Sequence, residues 1–410
     1  MGVMIFVKLA WRNILRNKRR TLIAGTAIGI GLAAMIYMDA IMIGMENNMV
    51  ATATSTFLGD GQIGREGFRK TFEAELTINN VDEVVKDLAK EPLVDKFTKR
   101  VLGLGMISSP ANVSGVSVIG IDPATEPDLS KVDEAMIMGS YFEGDDSRQI
   151  LIGRKLAELL EVELGDRIVV TVAEAHTGDL SQEMFRVSGI YYFNVAEMDQ
   201  RMAFVRLDKA QAMMGLTGQA HQIALKLHDN SIARVPGHDL WMRYSVNGNE
   251  AVGWTTLLPQ LDKIFNLSKF GILILGVLLF AIVSLGIINT LFMSLYERMF
   301  EFGVIRALGT TPFAMGRLVI FEAGVLGLIS QIMGCLLAAV TLAILSYVGI
   351  DYGGIEFAGV TIVDRLYPEW QVHQFVIYPA AVLLFTMVIA LYPAIYAAKL
   401  TPARAMRKSF

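Results

Sequence analysis

The chain has 410 residues, 53% of them hydrophobic and only 19% charged, which is too apolar for an ordinary soluble protein and too charged to lie wholly in lipid. Its formal charge of −4 offers no basic surface to a nucleic-acid backbone, so nucleic acid is excluded as a partner. The apolar excess falls in four stretches, 21–43, 270–295, 318–348 and 375–398, each longer than the roughly 20 residues a helix needs to cross about 30 Å of hydrocarbon. The expected fold class is membrane α-helical, with four transmembrane helices and a large α+β extracytoplasmic domain.

Residues 1–20 are expected to form a cytoplasmic amphipathic helix, because Ile5, Leu9, Ile14 and Leu15 interleave with Lys8, Arg12 and Arg16. Such a helix lies among the lipid headgroups, making membrane lipids a partner. A basic stretch before an apolar one resembles a signal peptide. Here the apolar run is over 20 residues and no A-x-A-like site follows before Met45, so it reads as a retained span. Lys8, Arg12, Arg16, Lys18, Arg19 and Arg20 precede that span with no acidic residue, and Lys399, Arg404, Arg407 and Lys408 follow the last. The bias places both termini in the cytoplasm and residues 44–265 outside.

Transmembrane helix one, 21–43, carries Gly25, Gly29 and Gly31, small residues that let another helix approach closely. Met35, Met38, Met42, Met45 and Met49 follow at spacings of three and four, a heptad-like seam. It reads either as helix packing or as a pliable lining for a greasy substrate, since Met is unbranched and polarizable. Asp39 lies about 27 Å along the helix from Thr21, near the outer interface, as a solvated or helix-pairing residue or as a gating or substrate contact.

Within 44–265, helical spacing of Leu257, Leu258, Leu261, Ile264, Phe265 and Leu267 predicts a second stalk helix beside the first. Between the stalks, 81–90 reads as an amphipathic helix and 154–161 as a short helix, with strands at 149–152, 167–172, 185–191, 203–207 and 222–227 and a Gly165-Asp166 turn. Transmembrane helix two (266–296), a cytoplasmic coupling helix (297–317), helix three (318–348), an extracytoplasmic loop (349–374), helix four (375–398) and a cytoplasmic tail (399–410) complete the order. The loop supports this topology, holding Asp351, Glu356, Asp364 and Glu369 against Arg365.

Catalytic chemistry is missing. There is no G-x-x-x-x-G-K-[ST], so any ATP must be bound by another subunit. His176, His221, His228, His238 and His373 are scattered without metal-ligand spacing, so no metal site is expected. No G-x-S-x-G occurs, and the lone Cys335 cannot form a disulfide within the chain.

The cytoplasmic segment is the most informative. Glu297, Arg298, Glu301 and Arg306 alternate with Phe300, Val304, Ile305 and Leu308 before a Gly309-to-Pro312 turn, a shape suited to docking into a partner. Glu297-Arg298, Glu301, Gly303 and Ile305-Arg306-Ala307-Leu308-Gly309 resemble the segment after the second span of the FtsX-like permeases. That type VII ABC transporter group includes the MacB efflux pumps and the Lol lipoprotein-release permeases. Tyr392-Pro393-Ala394, Ala397-Ala398 and the stretch from Leu400 to Arg407 resemble the family's ending, and Leu9 to Asn13 with Asn17 to Thr21 its opening. Ile152 to Ala157, Leu164-Gly165-Asp166 and Phe185 to Ile190 resemble a MacB-like periplasmic core domain, which Val235-Pro236-Gly237 interrupts where relatives tend to have a helix.

The resemblance implies a bacterial inner-membrane permease, paired as a homodimer or heterodimer with a second permease. It works with a dimer of separate ABC ATPase subunits that bind ATP and Mg. Its coupling residues would be Glu297, Arg298, Glu301, Gly303, Arg306, Leu308 and Gly309. Without a fused ATPase, the layout is most similar to the Lol type, which implies extraction of lipoproteins toward a periplasmic carrier or adaptor. Met38, Met42, Met45, Phe265 and Phe270 are the expected cargo contacts. The alternatives are a MacB-like efflux or export permease and an FtsX-like mechanotransmitter regulating a cell-wall hydrolase.

Overall fold

The computed structural model describes residues 3–16, 18–144, 146–351, 356–357, 360–361 and 365–401. Asn17, Asp364 and the 402–408 part of the closing motif, with Arg404, Arg407 and Lys408, lie outside the described residues, as do the side chains of Ile5, Ile14, Leu15, Arg20 and Glu356.

In chain order, α1 (Val3–Arg16) leads to α2 (Lys18–Ala53), which ends in a π-helical turn at Thr54–Leu58. Then come β1 (Gly61–Arg65), α3 (Phe68–Thr71), α4 (Val81–Leu88), β2 (Val94–Ser108), β3 (Val113–Ile121), β4 (Met136–Gly139) and β5 (Gln149–Gly153). They are followed by α5 (Arg154–Leu160), β6 (Arg167–Ala173), β7 (Leu180–Tyr191), α6 (Ala196–Arg201), β8 (Met202–Arg206), α7 (Leu207–Met214) and β9 (Gln222–Leu227). The chain continues through α8 (Asp239–Tyr244), β10 (Asn249–Gly253), α9 (Trp254–Leu257), α10 (Pro259–Glu297), α11 (Met299–Ala307), α12 (Pro312–Val348) and α13 (Gln374–Lys399).

Two compact units result: a membrane unit of residues 1–46, 265–351 and 365–410, and a second unit of 47–264 with 352–364. Four helices among the described residues, α2, α10, α12 and α13, are long and apolar enough to cross a bilayer. In the membrane unit they share a core of Ile28, Leu32, Ile36, Ile287, Leu291, Ala323, Leu326, Leu342 and Val382. The small residues act as expected. A Cβ on Gly29 would lie 3.0 Å from the Ser330 carbonyl oxygen, and one on Gly334 only 2.7 Å from that of Gly29, so α2 and α12 touch backbone to backbone.

Gly31 turns instead to Val283 of α10, and Gly276 of α10 leaves room for Met35. Higher up, Lys269 of α10 meets the buried Glu46 of α2 at 3.3 Å. Asp39 pairs helices: its carboxylate accepts from Gln374 Nε2 at 2.9 Å and lies 3.7 Å from His373.

The second unit is built on one sheet in the order β10-β1-β9-β2-β3-β8-β5-β7-β4. β6 pairs with both β2 and β7, so β2, β3, β8, β5, β7 and β6 close into a ring. Val101, Ile107, Val118, Ile150, Ile168, Val170, Phe185 and Val205 form its core with Leu156 and Leu160 of α5 and Met213 and Met214 of α7. A second cluster gathers Phe57, Ile119, Leu151, Tyr191 and Phe204. There the Arg100 guanidinium lies 3.8 Å above the Phe57 ring and donates to both oxygens of Glu126, at 3.0 and 2.6 Å. Both members of the pair are wholly buried, and Phe57 lies in the π-helical turn that ends α2.

The expected strands are present, with 185–191 beginning earlier, at Leu180, and the expected helix 81–90 ending at Leu88. The second stalk does not start where its periodicity suggested. Leu258 (φ −122°, ψ 64°) breaks the helix, so Leu257 belongs to α9 and the long helix begins at Pro259. Helices α10 and α12 also overrun the expected spans 266–296 and 318–348, starting at Pro259 and Pro312. After Val235-Pro236-Gly237 the chain resumes as the short helix α8.

His221 is fully buried and neutral. Leu102 N–H donates to its Nδ1 at 3.0 Å, Nε2 faces the Ala74 carbonyl at 2.8 Å, and the ring stacks on Phe68. Burial lowers its pKa, against a smaller rise from the Ala74 carbonyl. The unfolded chain therefore binds a proton, near pH 6.5, that the fold excludes. Stability is full above that pH and falls as pH drops through it toward the lower folded value. Thermal unfolding of the detergent-solubilised protein between pH 7.5 and about 5 is expected to show this slope, and the His221→Asn variant to show a shallower one.

Candidate functional site

The end of the membrane unit where α10 gives way to α11 is organised by Glu322, a carboxylate on α12 that is only 5% exposed. A buried carboxylate must be paired. Arg298 Nη1 donates to its Oε1 at 2.6 Å and Asn13 Nδ2 of α1 donates to the same oxygen at 2.7 Å. To reach it, Arg298 leaves helical geometry (φ −105°, ψ 14°), which ends α10 at Glu297 and starts α11 at Met299. Arg298 Nε also donates to Glu301 at 3.0 Å, and Arg16 of α1 reaches the other oxygen of Glu301 at 3.0 Å. Burial alone would raise the Glu301 pKa, but the hydrogen bonds and charges of Arg298 and Arg16 outweigh it and hold the carboxyl below its usual range.

Helix α11 buries Met299, Phe302 and Gly303, packing against Leu295, Met315, Leu318, Val319, Ala394 and Ala397. Its far end is closed locally. Arg306 Nη1 donates to the Thr310 carbonyl at 3.0 Å, Thr310 N–H donates back to the Ile305 carbonyl at 3.3 Å, and Gly309 takes φ +94°, a left-handed cap. Thr311 then caps α12, its hydroxyl accepting from Ala314 N–H at 3.3 Å. On the outward side, Phe300 (52% exposed), Val304 and Leu308 (82%) fall at i, i+4 and i+8, one apolar stripe, with Phe313 (74%) beyond the turn.

Of the seven expected coupling residues, Arg298 spends its charge inside this end of the protein, Glu301 is half-exposed but paired with Arg298 and Arg16, Arg306 bonds the Thr310 carbonyl, Gly303 is buried and Gly309 makes the turn. Glu297, Leu308 and Gly309 are exposed. Phe300, Val304 and Phe313 complete the exposed face, a helical periodicity the sequence shows. Glu322, Asn13 and Arg16 were missed as site residues, although an ionisable residue inside a span is itself a signal. Among the expected cargo contacts, Met38 and Phe270 are exposed, Met42 and Met45 half-buried, and Phe265 is 2% exposed.

Residues 21–235, just over half the chain, match the family described as MacB-like periplasmic core domain, and residues 273–402 match the FtsX-like permease C-terminal. The chain belongs to the MacB- and FtsX-like permease family. Among its relatives, the lipoprotein-releasing system transmembrane protein LolC of Xylella fastidiosa is 26% identical over 306 residues, 70% of this chain and 72% of that protein. LolC of Neisseria meningitidis serogroup B is 22% identical over 427 residues, covering 97% of this chain and 98% of that one. The LolE protein of Haemophilus influenzae is 23% identical over 347 residues, 81% and 82% of the two chains. This permease is thus of the Lol/MacB/FtsX type of ABC transporter, a family of multi-pass inner-membrane subunits with a periplasmic domain that work with an ATPase and other permease subunits.

Glu322→Ala would strand the Arg298 guanidinium and the Asn13 amide, and unpairing a buried ion costs about 3–5 kcal/mol. Thermal unfolding of the purified permease is expected to show a large loss for Glu322→Ala and a smaller one for Glu322→Gln, which keeps an acceptor.

Proposed function

We propose that this permease is moved by a separate dimer of ABC ATPase subunits, which bind the ATP and Mg, and that the chain contributes no catalytic residue. The apolar stripe of Phe300, Val304 and Leu308 carries this reading: it is a bare hydrophobic face on a helix whose opposite side is fixed by ion pairs. The stripe seats in a groove on the ATPase, and closure of the ATPase dimer on ATP displaces α11. Helices α2 and α10, of 36 and 39 residues, carry the displacement outward, since at 1.5 Å per residue each is well over the about 30 Å of hydrocarbon. Both termini lie in the cytoplasm in this scheme and residues 44–265 in the periplasm. A second permease, identical or different, completes the membrane pair.

The cargo is proposed to be lipoprotein, lifted from the inner membrane toward a periplasmic carrier for the outer membrane. The support is the likeness to lipoprotein-releasing relatives, one of them along 97% of the chain, together with the exposed Met38 and Phe270 as contacts for acyl chains.

Leu308→Asp is expected to weaken co-purification of the ATPase by about thirtyfold, the loss of a central interface anchor, with the permease itself still folded. Unchanged co-purification refutes the docking stripe. Arg306→Glu is expected to act less directly, by opening the Thr310 turn. In reconstituted complex, Met42→Glu should abolish release of acylated protein while ATP hydrolysis continues. Mass spectrometry of complexes from native membranes tests the cargo: lipidated proteins and a carrier are expected, and an export adaptor with no lipidated protein would overturn the assignment.

A further inference from the structure

Between α2 and α10, in the half of the membrane unit that holds the N-terminal cations, lies an open groove of about 740 Å³, within the range of small-molecule sites. Its floor is kept bare by Ala24, Ala27 and Gly286, and Lys18, Arg19 and Arg16 stand at its mouth. Arg16 is engaged with Glu301, and Glu297, also at the mouth, has a partner. Lys18 and Arg19 are exposed and form no ion pair among the described residues. The exposed Asn289 amide on the wall has no hydrogen-bond partner among them either, a costly state at membrane depth unless something polar accepts from it.

The groove is short. It runs about 14 Å along α2, from Arg19 to Ile28, and about 22 Å along α10, from Ile282 to the mouth at Glu297, short of the about 30 Å hydrocarbon thickness. Above that the helices close: a Cβ on Gly31 would lie 3.3 Å from Val283, and one on Gly276 would lie 3.1 Å from Met35. A membrane-spanning helix of another subunit would need a seat across both leaflets, whereas an acyl chain needs one leaflet.

We propose that this groove holds one anionic phospholipid of the inner leaflet, its phosphate between Lys18 and Arg19, its glycerol ester carbonyls accepting from Asn289, and an acyl chain along Ala24, Ala27 and Gly286. The lipid then lies next to the Arg16–Glu301 pair that secures the docking helix, which makes the anionic lipid content of the membrane an input to coupling. The assignment of leaflet rests on the orientation proposed above.

The test is native mass spectrometry of the full-length permease purified in mild detergent and supplied with phosphatidylglycerol or phosphatidylcholine. Phosphatidylglycerol is expected to be retained preferentially. Lys18→Ala with Arg19→Ala should weaken its retention about twentyfold, since each basic residue near the surface contributes a comparable share. Gly286→Leu should fill the groove and remove the bound lipid without disturbing the fold, because a Cβ at Gly286 meets nothing within 4 Å. Equal retention of both lipids by the wild type, or undiminished phosphatidylglycerol in Gly286→Leu, overturns the proposal. So does a disulfide between two copies carrying Gly286→Cys in a Cys335→Ala background, which would show a protein occupant. Labelling of a Lys18→Cys variant from either side of the membrane decides orientation separately: reaction only from outside sinks the leaflet and the topology while leaving lipid retention standing.

Discussion

One buried carboxylate sets the geometry of the end of the membrane unit where α10 meets α11. Glu322 sits in a helix that spans the membrane, where an unpaired charge costs several kcal/mol, so its partners have to come to it. They come from two directions: Asn13 from α1, and Arg298 from the junction of α10 and α11. Because Arg298 must turn inward, α10 stops at Glu297 and a separate short helix begins. Glu301, one turn along that helix, is then held between Arg298 and Arg16. The break in the chain, the placement of α11 and the docking of α1 are one electrostatic solution.

The second unit handles the end of α2 by a similar device. Phe57, in the closing π-helical turn, lies under a guanidinium that is itself locked bidentately to Glu126. A wholly buried Arg–Glu pair adds little net stability compared with apolar packing, but its geometry is strict. The π-helical turn at Thr54–Leu58 is thereby held through Phe57 to Arg100 of β2 and Glu126 after β3. Glycine serves the same end elsewhere: the Trp241 ring occupies the space in which a Cβ on Gly61 would stand, so β1 can lie directly under α8.

Much of this was legible in the sequence. The four spans follow from apolar runs longer than a bilayer, and the strands at 149–152, 167–172 and 222–227 from runs of branched residues between turn signals. The hairpin of β2 and β3 was not, because Lys96, Lys99 and Arg100 and then Gly103 and Gly105 break up the alternation that marks a strand. Those glycines are explained only by their neighbours, Met214 crowding Gly103 and Thr171 crowding Gly105. Ring closure through β6 joins residues far apart in the chain, which no local pattern reports. At the candidate site the sequence pattern makes Arg298 and Arg306 part of the coupling set together with Glu297, Glu301, Gly303, Leu308 and Gly309; in the structure Arg298 turns inward to Glu322, some twenty positions further on, and Arg306 to the Thr310 carbonyl, while Glu297 stays exposed.

That inversion bears on how the helix works. A short surface helix ordinarily turns its charges to water and its apolar side to the protein. Here α11 buries Met299 and Phe302, commits Arg298, Glu301 and Arg306 to neighbouring elements, and still presents Phe300, Val304 and Leu308 to solvent. Apolar side chains on both sides leave it unstable as an isolated surface feature, yet well suited to lie between two bodies. The buried Arg298–Glu322 pair also stiffens it, because shifting α11 means stretching an ion pair that has little water to replace it. A partner that grips the stripe therefore moves Arg298, and with it the ends of α10 and α12, as a single piece.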